Sequence, residues 1–450
     1  MSENAKLTRG SIPGHLVSQT LPMIFGVAAI MSIGLVDAYF IGQLGSEQLA
    51  AISFIFPIGV AISSLGVGMM VGINSVVARA LGAGNDHQAA RRANVGIVFA
   101  ITFGLLLAGL LYLLLDPLFR LMNAPDDLLP FIRAYMNPYL LGFPLLLAIM
   151  GFNGVLRGQG EARKTSYVSI TYAAANWVLD PILITGALGF EGFGMAGAAY
   201  ATAIGWAMGL AMAVVLLRRT PIPINPALLA RGGRAEPVWA ILRVAGPASF
   251  SNAINPIGLS ILTALVAAQG QAAVAGFGAA GRLQSFAVVP LLGLSGSIGA
   301  IVGQNWGAGQ RGRARRAALF AGGFCIAWGL AIATALFAAG EWFAQAFTDD
   351  PAVIEQFARY LSIAAWGYAG YGLLIVGNGI LNAVDRAGYA LMQSSFRVFA
   401  VMIPFAWLLR DDWGSDAVYG AELAANLVGG AIAMTLVWWI LTHRSNETPQ

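Results

Sequence analysis

Charge is scarce in this chain. Asp, Glu, Lys and Arg make up 10% of its 450 residues, where soluble domains average about 25%. Cysteine is nearly absent: Cys325 stands alone, so no intrachain disulfide can form. There are three histidines, His15, His87 and His443, scattered near loops and ends, which excludes a histidine-built zinc site. No nucleotide-binding P-loop is present. The nearest approach, GQGEARKT, places Arg163 where that loop needs glycine, so an ATP-driven pump is excluded. No zincin motif or clustered histidine suggests an enzyme, and no catalytic residue is expected. No cleavable leader is evident, because the polar start MSENAKLTRGSIPGH runs into a full-length apolar segment.

What the chain does have is hydrophobicity, at 58%, and 56 glycines. Small residues let membrane helices approach closely. Twelve apolar runs are read at 17–43, 52–78, 93–115, 131–156, 165–187, 195–217, 240–268, 277–303, 316–340, 359–384, 390–409 and 418–442. Each is near or above the roughly 20 residues a membrane-crossing helix needs. The gaps alternate in charge. One set is poor in Lys and Arg and holds Glu47, Asp116, Asp126, Asp127, Glu191, Glu341, Asp349, Asp350, Asp411 and Asp412 among others. The other set is basic, with Arg79, Arg91, Arg92, Arg157, Arg163, Lys164, Arg218, Arg219, Arg311, Arg313, Arg315, Arg316 and Arg386. The positive-inside rule then places both termini in the cytoplasm. A net charge of +4 reads as this positioning signal, not as a nucleic-acid surface.

The two halves resemble each other at a shift of 225 residues. Asn153-Gly154-Val155-Leu156 returns as Asn378-Gly379-Ile380-Leu381, and Gly82-Ala83-Gly84 as Gly307-Ala308-Gly309. Six spans per half is an even number, so the halves run parallel across the membrane, as in secondary transporters whose substrate path lies between repeats. The division expected is a first lobe over 1–217, a proline- and charge-rich linker over 218–238, and a second lobe over 239–450.

Function is sought where the repeat breaks. Asp37 and Asp180 lie inside apolar runs, and a carboxylate at membrane depth costs roughly 2.5–3.5 kcal/mol on insertion scales. Their counterparts in the second half are Leu262 and Phe405, and Asn176 pairs with Val401. Counting from the span ends puts Asp37, Asp180 and Thr202 at one depth, roughly 10 Å below the outer surface at 1.5 Å per residue. Asn176 is one helical turn from Asp180 on the same face, and Tyr172 one turn further. Pro181 weakens the helix after Asp180 and frees backbone carbonyls. Two carboxylates sharing a low-dielectric cavity cannot both ionise cheaply, so such a cluster can take up a proton. The same oxygens suit a hard cation such as Na+.

Other residues read more plainly. Arg282 is taken as the one basic residue inside a span, about five residues from its outer end, where it can snorkel. Asn74, Asn153 and Asn378 sit near helix ends and read as packing or capping residues. The Met-rich run SLGVGMMVGIN suits a greasy cavity or simple packing. Pro22 is expected to kink the first span about four turns below Asp37.

The segments LPMIFGVAAIMSIGLVDAYFIGQLGSEQLAAISF, ARALGAGN, GVLRGQGEARK and NWVLDPILI, with QNWGAGQ and GNGILNAVDRAG in the second half, resemble the multidrug and toxic compound extrusion (MATE) family over essentially the whole chain. The resemblance implies an all-α polytopic fold of twelve transmembrane helices in two pseudo-symmetric six-helix lobes. It implies a multi-pass protein of the bacterial plasma membrane that exports organic cations and amphipathic drugs in exchange for H+ or Na+, without a cofactor. Membrane lipids are its surroundings, no nucleic acid is bound, and a monomer is expected. In DinF-like members the coupling cluster falls on Asp37, Asn176, Asp180 and Thr202, and a bending proline on Pro22. NorM-like members carry further acids in helices 7 and 10, which this chain lacks. A lipid-linked precursor flippase of the same superfamily is the alternative. It calls for a wide cationic cavity, which a single arginine inside the spans disfavours.

Overall fold

The computed structural model describes residues 3–187, 189, 191–222, 224–225 and 235–443. Most of the expected linker lies outside the described residues. Eleven described helices are long and apolar enough to cross a membrane, and a bent pair brings the count to twelve. In chain order they are α1 (Ile12–Gly42), α2 (Ser46–Gly82), α3 (Asp86–Leu113), α4 (Leu129–Gly158), α5 (Ala162–Gly186), α6 (Met195–Arg218), α7 (Ala235–Ala267), the bent pair α8 (Gln271–Ala287 and Val289–Gly307, at 43°), α9 (Arg311–Gln345), α10 (Pro351–Ala383), α11 (Ala387–Trp413) and α12 (Ser415–His443). Each matches one of the twelve apolar runs to within a few residues at its C-terminal end, and six of them extend past their run at both ends.

The internal repeat fixes where helices start and stop. Gly42 and Ala267, Gly82 and Gly307, Gly158 and Ala383, Arg218 and His443 are matched ends, and Ser46 and Gln271, Asp86 and Arg311, Ala162 and Ala387 are matched starts. Packing repeats too: α4 lies against α2, α3 and α6 as α10 lies against α8, α9 and α12, and α1 pairs with α5 as α7 pairs with α11. In lipid there is little hydrophobic drive between helices, so close backbone approach carries the packing. A Cβ on Gly82 would sit 2.0 Å from the Gln304 carbonyl oxygen, and one on Gly307 would sit 2.2 Å from that of Arg79. These are the same contact made twice, once from each repeat.

The lobes are fastened at one end only. Among the described residues, every polar tie between them lies in the half nearer the basic loops. Thr20 and Ser297 hydroxyls meet at 2.7 Å, Ser75 donates to the Asn382 carbonyl at 2.6 Å, and Arg79 pairs with Asp385 at 3.4 Å. Residues 4–10 add a strap. The Leu7 N–H donates to Gln304 while its carbonyl accepts from Asn305, and Lys6 pairs with Glu161 at 2.7 Å.

The cores differ. The first lobe has one continuous buried apolar cluster. The second has two, with polar residues between them. Along α11, Ala390 belongs to one cluster and Val398 to the other, with buried Gln393, Ser394 and Arg397 in between.

Candidate functional site: a buried acid pair in the first lobe

Helices α1 and α5 are stitched together along their length. The Ala162 N–H donates to Gln19 at 3.1 Å, Ser166 to the Pro22 carbonyl at 2.6 Å, and the Trp177 indole to Ser32 at 3.0 Å. The next rung of this ladder is Asp37 with Asp180. Their carboxyl groups lie close enough to share a hydrogen bond once one carries a proton. Asp180 is wholly buried. Three of the four carboxylate oxygens, Asp37 Oδ1 and both of Asp180, are buried and accept no hydrogen bond among the described residues. A bare buried acceptor costs about 1–3 kcal/mol, and more when charged.

Asn176, one helical turn before Asp180 on α5, meets Thr202 of α6. Asn176 is fully buried, its Nδ2 donates to the Tyr172 carbonyl at 3.1 Å, and its Oδ1 accepts from Thr202 at 3.3 Å. The approach of α6 depends on Gly205, where a Cβ would lie 2.6 Å from Asn176 Nδ2. Tyr172 contributes its carbonyl to this cluster. Its ring runs the other way, with the hydroxyl beside Ser169 and Arg157. Pro22 lies inside an unbroken α1, and its carbonyl accepts the Ser166 hydroxyl.

After Asp180 the helix turns π over Pro181–Gly186, as the proline suggests. The freed carbonyls do not all face the acids. Those of Leu183 and Ile184 accept from Phe193 at 2.7 Å and Gly194 at 3.1 Å, closing the next loop.

Two tyrosines were not expected. Tyr135 and Tyr139 on α4 are buried within electrostatic reach of Asp37, and Tyr135 also of Asp180. Their rings stack at 5.5 Å, and Tyr139 meets Trp206 edge-on at 5.2 Å. The signal was available: the pair has helical i,i+4 spacing, and Tyr135 returns in the repeat as Tyr360.

The second lobe overturns one sequence expectation. Arg282 is not the one basic residue inside a span. Arg133, Arg243 and Arg397 also fall within the runs as read, and Arg397 is 3% exposed at the middle of α11. It escaped notice because it stands alone in an apolar run. Arg282 itself is exposed and joins neither cluster, and it makes no hydrogen bond or ion pair among the described residues. The second lobe also holds a buried acid, Glu422, whose oxygens accept from Gln284 at 2.6 Å and Tyr360 at 2.7 Å. Asn378 is a packing residue as expected, donating to Ser394 at 3.0 Å and accepting from Gln393 at 2.6 Å.

Two parallel six-helix repeats fastened at one end, with unpartnered acids buried in one of them, are the build of a membrane transporter. The MatE family model matches residues 22–182 and 247–408, one block in each lobe. The chain belongs to the MatE family, and is a transporter and not an enzyme. It is 32% identical to a Shewanella oneidensis protein named FAD transporter, over 99% of this chain and 98% of that one. It is 28% identical to a Deinococcus radiodurans protein named probable multidrug resistance protein NorM, over 88% of each. Among solved structures it is similar to the Vibrio cholerae MATE transporter VcmN in the bent form, with TM-score 0.89 and 28% identity over 96% of this chain and 97% of that one.

Proposed function

We propose that this protein is a secondary active exporter that trades an incoming H+ or Na+ for an outgoing amphipathic drug or organic cation, with the ion taken up at Asp37 and Asp180. The observation that carries the reading is the set of three buried carboxylate oxygens without a donor among the described residues. A proton shared between the acids supplies the missing donor. A bare Na+ supplies a positive charge to the same oxygens, with Asn176 Oδ1 and Thr202 Oγ1 adjacent. Arrival of the cation draws α1 and α5 together at the one rung that lacks a tie. The basic end lies in the cytoplasm of a bacterial plasma membrane, so the polar ties there describe a state closed inward and able to open outward. The acid pair is completed within one chain, which therefore works as a monomer among membrane lipids.

Coupling requires only that ion and cargo prefer opposite states of the lobes. Ethidium efflux from drug-loaded right-side-out vesicles under separately imposed proton and sodium gradients tests this, with Asp37→Asn beside the unaltered protein. Efflux driven by one gradient and lost in the variant supports the reading. Full ion-driven efflux in the variant overturns it. Efflux under neither gradient moves the reading to a lipid-linked precursor flippase.

A second reading of the cargo has its own support. The relative named FAD transporter shares the whole length of the chain, and flavin dinucleotides are anionic. Arg397 gives that reading a physical basis.

A further inference from the structure

We propose that Arg397, with Asn255 and Tyr371, forms an anion-binding site inside the second lobe that holds the phosphate or carboxylate of an amphipathic cargo. The proposal rests on the reading of the chain as an exporter and concerns a different lobe from the ion site.

An arginine at the middle of a membrane span is expensive and is normally paired with an acid. Arg397 is not. Its Nη1 and Nη2 both donate to the neutral Asn255 Oδ1, at 3.0 and 2.9 Å, and its guanidinium lies 5.3 Å from the centre of the Tyr371 ring. Its Nε is buried without a partner among the described residues. Its remaining contact is a weak one, to Met402 Sδ at 4.0 Å. Glu422 is within electrostatic range, but both its oxygens are taken by Gln284 and Tyr360.

A guanidinium has five N–H donors in a rigid fork that matches two oxygens of a carboxylate or phosphate. Here two of the five converge on a single amide oxygen, so the fork is held in place but its charge is unanswered. The stem is fixed as well: a Cβ on Gly429 would sit 3.0 Å from Arg397 Cδ, so α12 leaves a groove for it. Asn255 and Tyr371 are half-buried while Arg397 is closed in behind them. An anionic oxygen displacing Asn255 Oδ1 would meet the fork without any movement of the arginine. The site lies in the polar layer that divides the apolar core of this lobe.

A purely structural arginine would tie the helices equally well without binding anything. Flavin fluorescence separates the two. The full chain in nanodiscs is titrated with riboflavin, with its phosphate ester FMN, and with a carboxymethyl flavin. The proposal expects one or both acidic flavins to bind about tenfold tighter than riboflavin. Arg397→Gln should remove that preference. Because loss of Arg397 can destabilise the lobe, Asn255→Asp is the second variant. It places a carboxylate against the fork, keeps the tie, and should remove the preference in a folded protein. The tighter of FMN and carboxymethyl flavin identifies the group held. No preference in the unaltered protein, or a preference that survives in folded Asn255→Asp, overturns the proposal. Binding needs no gradient. Loss of ion-driven flux with the flavin preference intact would therefore sink the exporter reading alone.

Discussion

The first lobe leaves its buried acids bare, whereas the second surrounds its own with donors. Tyr135 and Tyr360 occupy matching places in the repeat, and each lies beside an acid. Glu422 receives Tyr360 and Gln284 at 2.7 and 2.6 Å. Asp37 and Asp180 together receive no protein donor at three of four oxygens. A satisfied buried acid is a tie between helices, and a bare one is a place for a cation to arrive. The arginine inverts the pattern. The second lobe keeps an unanswered positive charge at mid-span, so the lobes present opposite unmet charges from one repeated scaffold.

The largest effect that tests this contrast is on coupling. Asp180→Asn should reduce gradient-driven export to the passive leak, as should Asp37→Asn, while the protein remains folded because an amide is the better buried group. Glu422→Gln should leave ion-driven flux nearly intact, since one oxygen and one N–H remain to face Gln284 and Tyr360. Equal loss in both lobes, measured in proteoliposomes under an imposed gradient, would abolish the contrast.

Next in size is Gly205→Ala. The added Cβ would lie 2.6 Å from Asn176 Nδ2 and 3.0 Å from the Tyr172 carbonyl. Overpacking of this kind costs about 1–3 kcal/mol. It should displace Asn176, weaken coupling and lower the thermal midpoint in detergent. Glu422→Ala belongs in the same range, about 1–3 kcal/mol, because the Gln284 amide N–H loses its acceptor, while Tyr360 keeps Gln284 Oε1. That variant should lose stability without losing ion dependence. The opposite split, stable but uncoupled, would make Glu422 an ion site.

Much of this was legible in the chain, for stated reasons. Period and charge alternation gave the spans, because a bilayer imposes length and the basic loops stay on one side. The repeat gave the parallel arrangement of the halves, and in the structure several helix ends match at the same shift. The acid pair is legible as two carboxylates inside apolar runs where the repeat breaks, and depth counting levels them, since two spans of one direction bring residues at equal depth level with each other. What depth cannot give is azimuth. The same counting placed Tyr172 in line with the acids, yet its ring turns away toward Ser169 and Arg157. It also gave no hint that Asn255 and Tyr371 converge on Arg397, because these three lie on different helices and none is acidic. The symmetry breaks there as well: Arg397 is the counterpart of Tyr172 at the shift of 225, one turn from Val401, the counterpart of Asn176.

The smallest expected effect concerns the fastening at the basic end. Arg79 pairs with Asp385 at 3.4 Å and reaches the Ala383 carbonyl at 3.4 Å, and Asp385 also meets Arg243 at 3.8 Å. Asp385 has φ of 63°, a conformation few residues other than glycine and asparagine adopt at low cost. Asp385→Asn keeps that backbone and removes the charge, so it isolates the ion pair from the turn. A partly exposed pair is worth about 0.2–1 kcal/mol. The strap at Leu7 and the glycine contacts of α2 with α8 still hold the lobes. The population with the basic end open should therefore rise by no more than about fivefold. Spin labels at Arg218 and His443, the matched ends of α6 and α12, would report it as a longer-distance component, and Cys325 is buried and stays unlabelled. If Asp385→Asn opened the basic end fully, the ion pair rather than the glycine packing would hold the lobes together. The repeat would then have supplied the contact surface without supplying the lock.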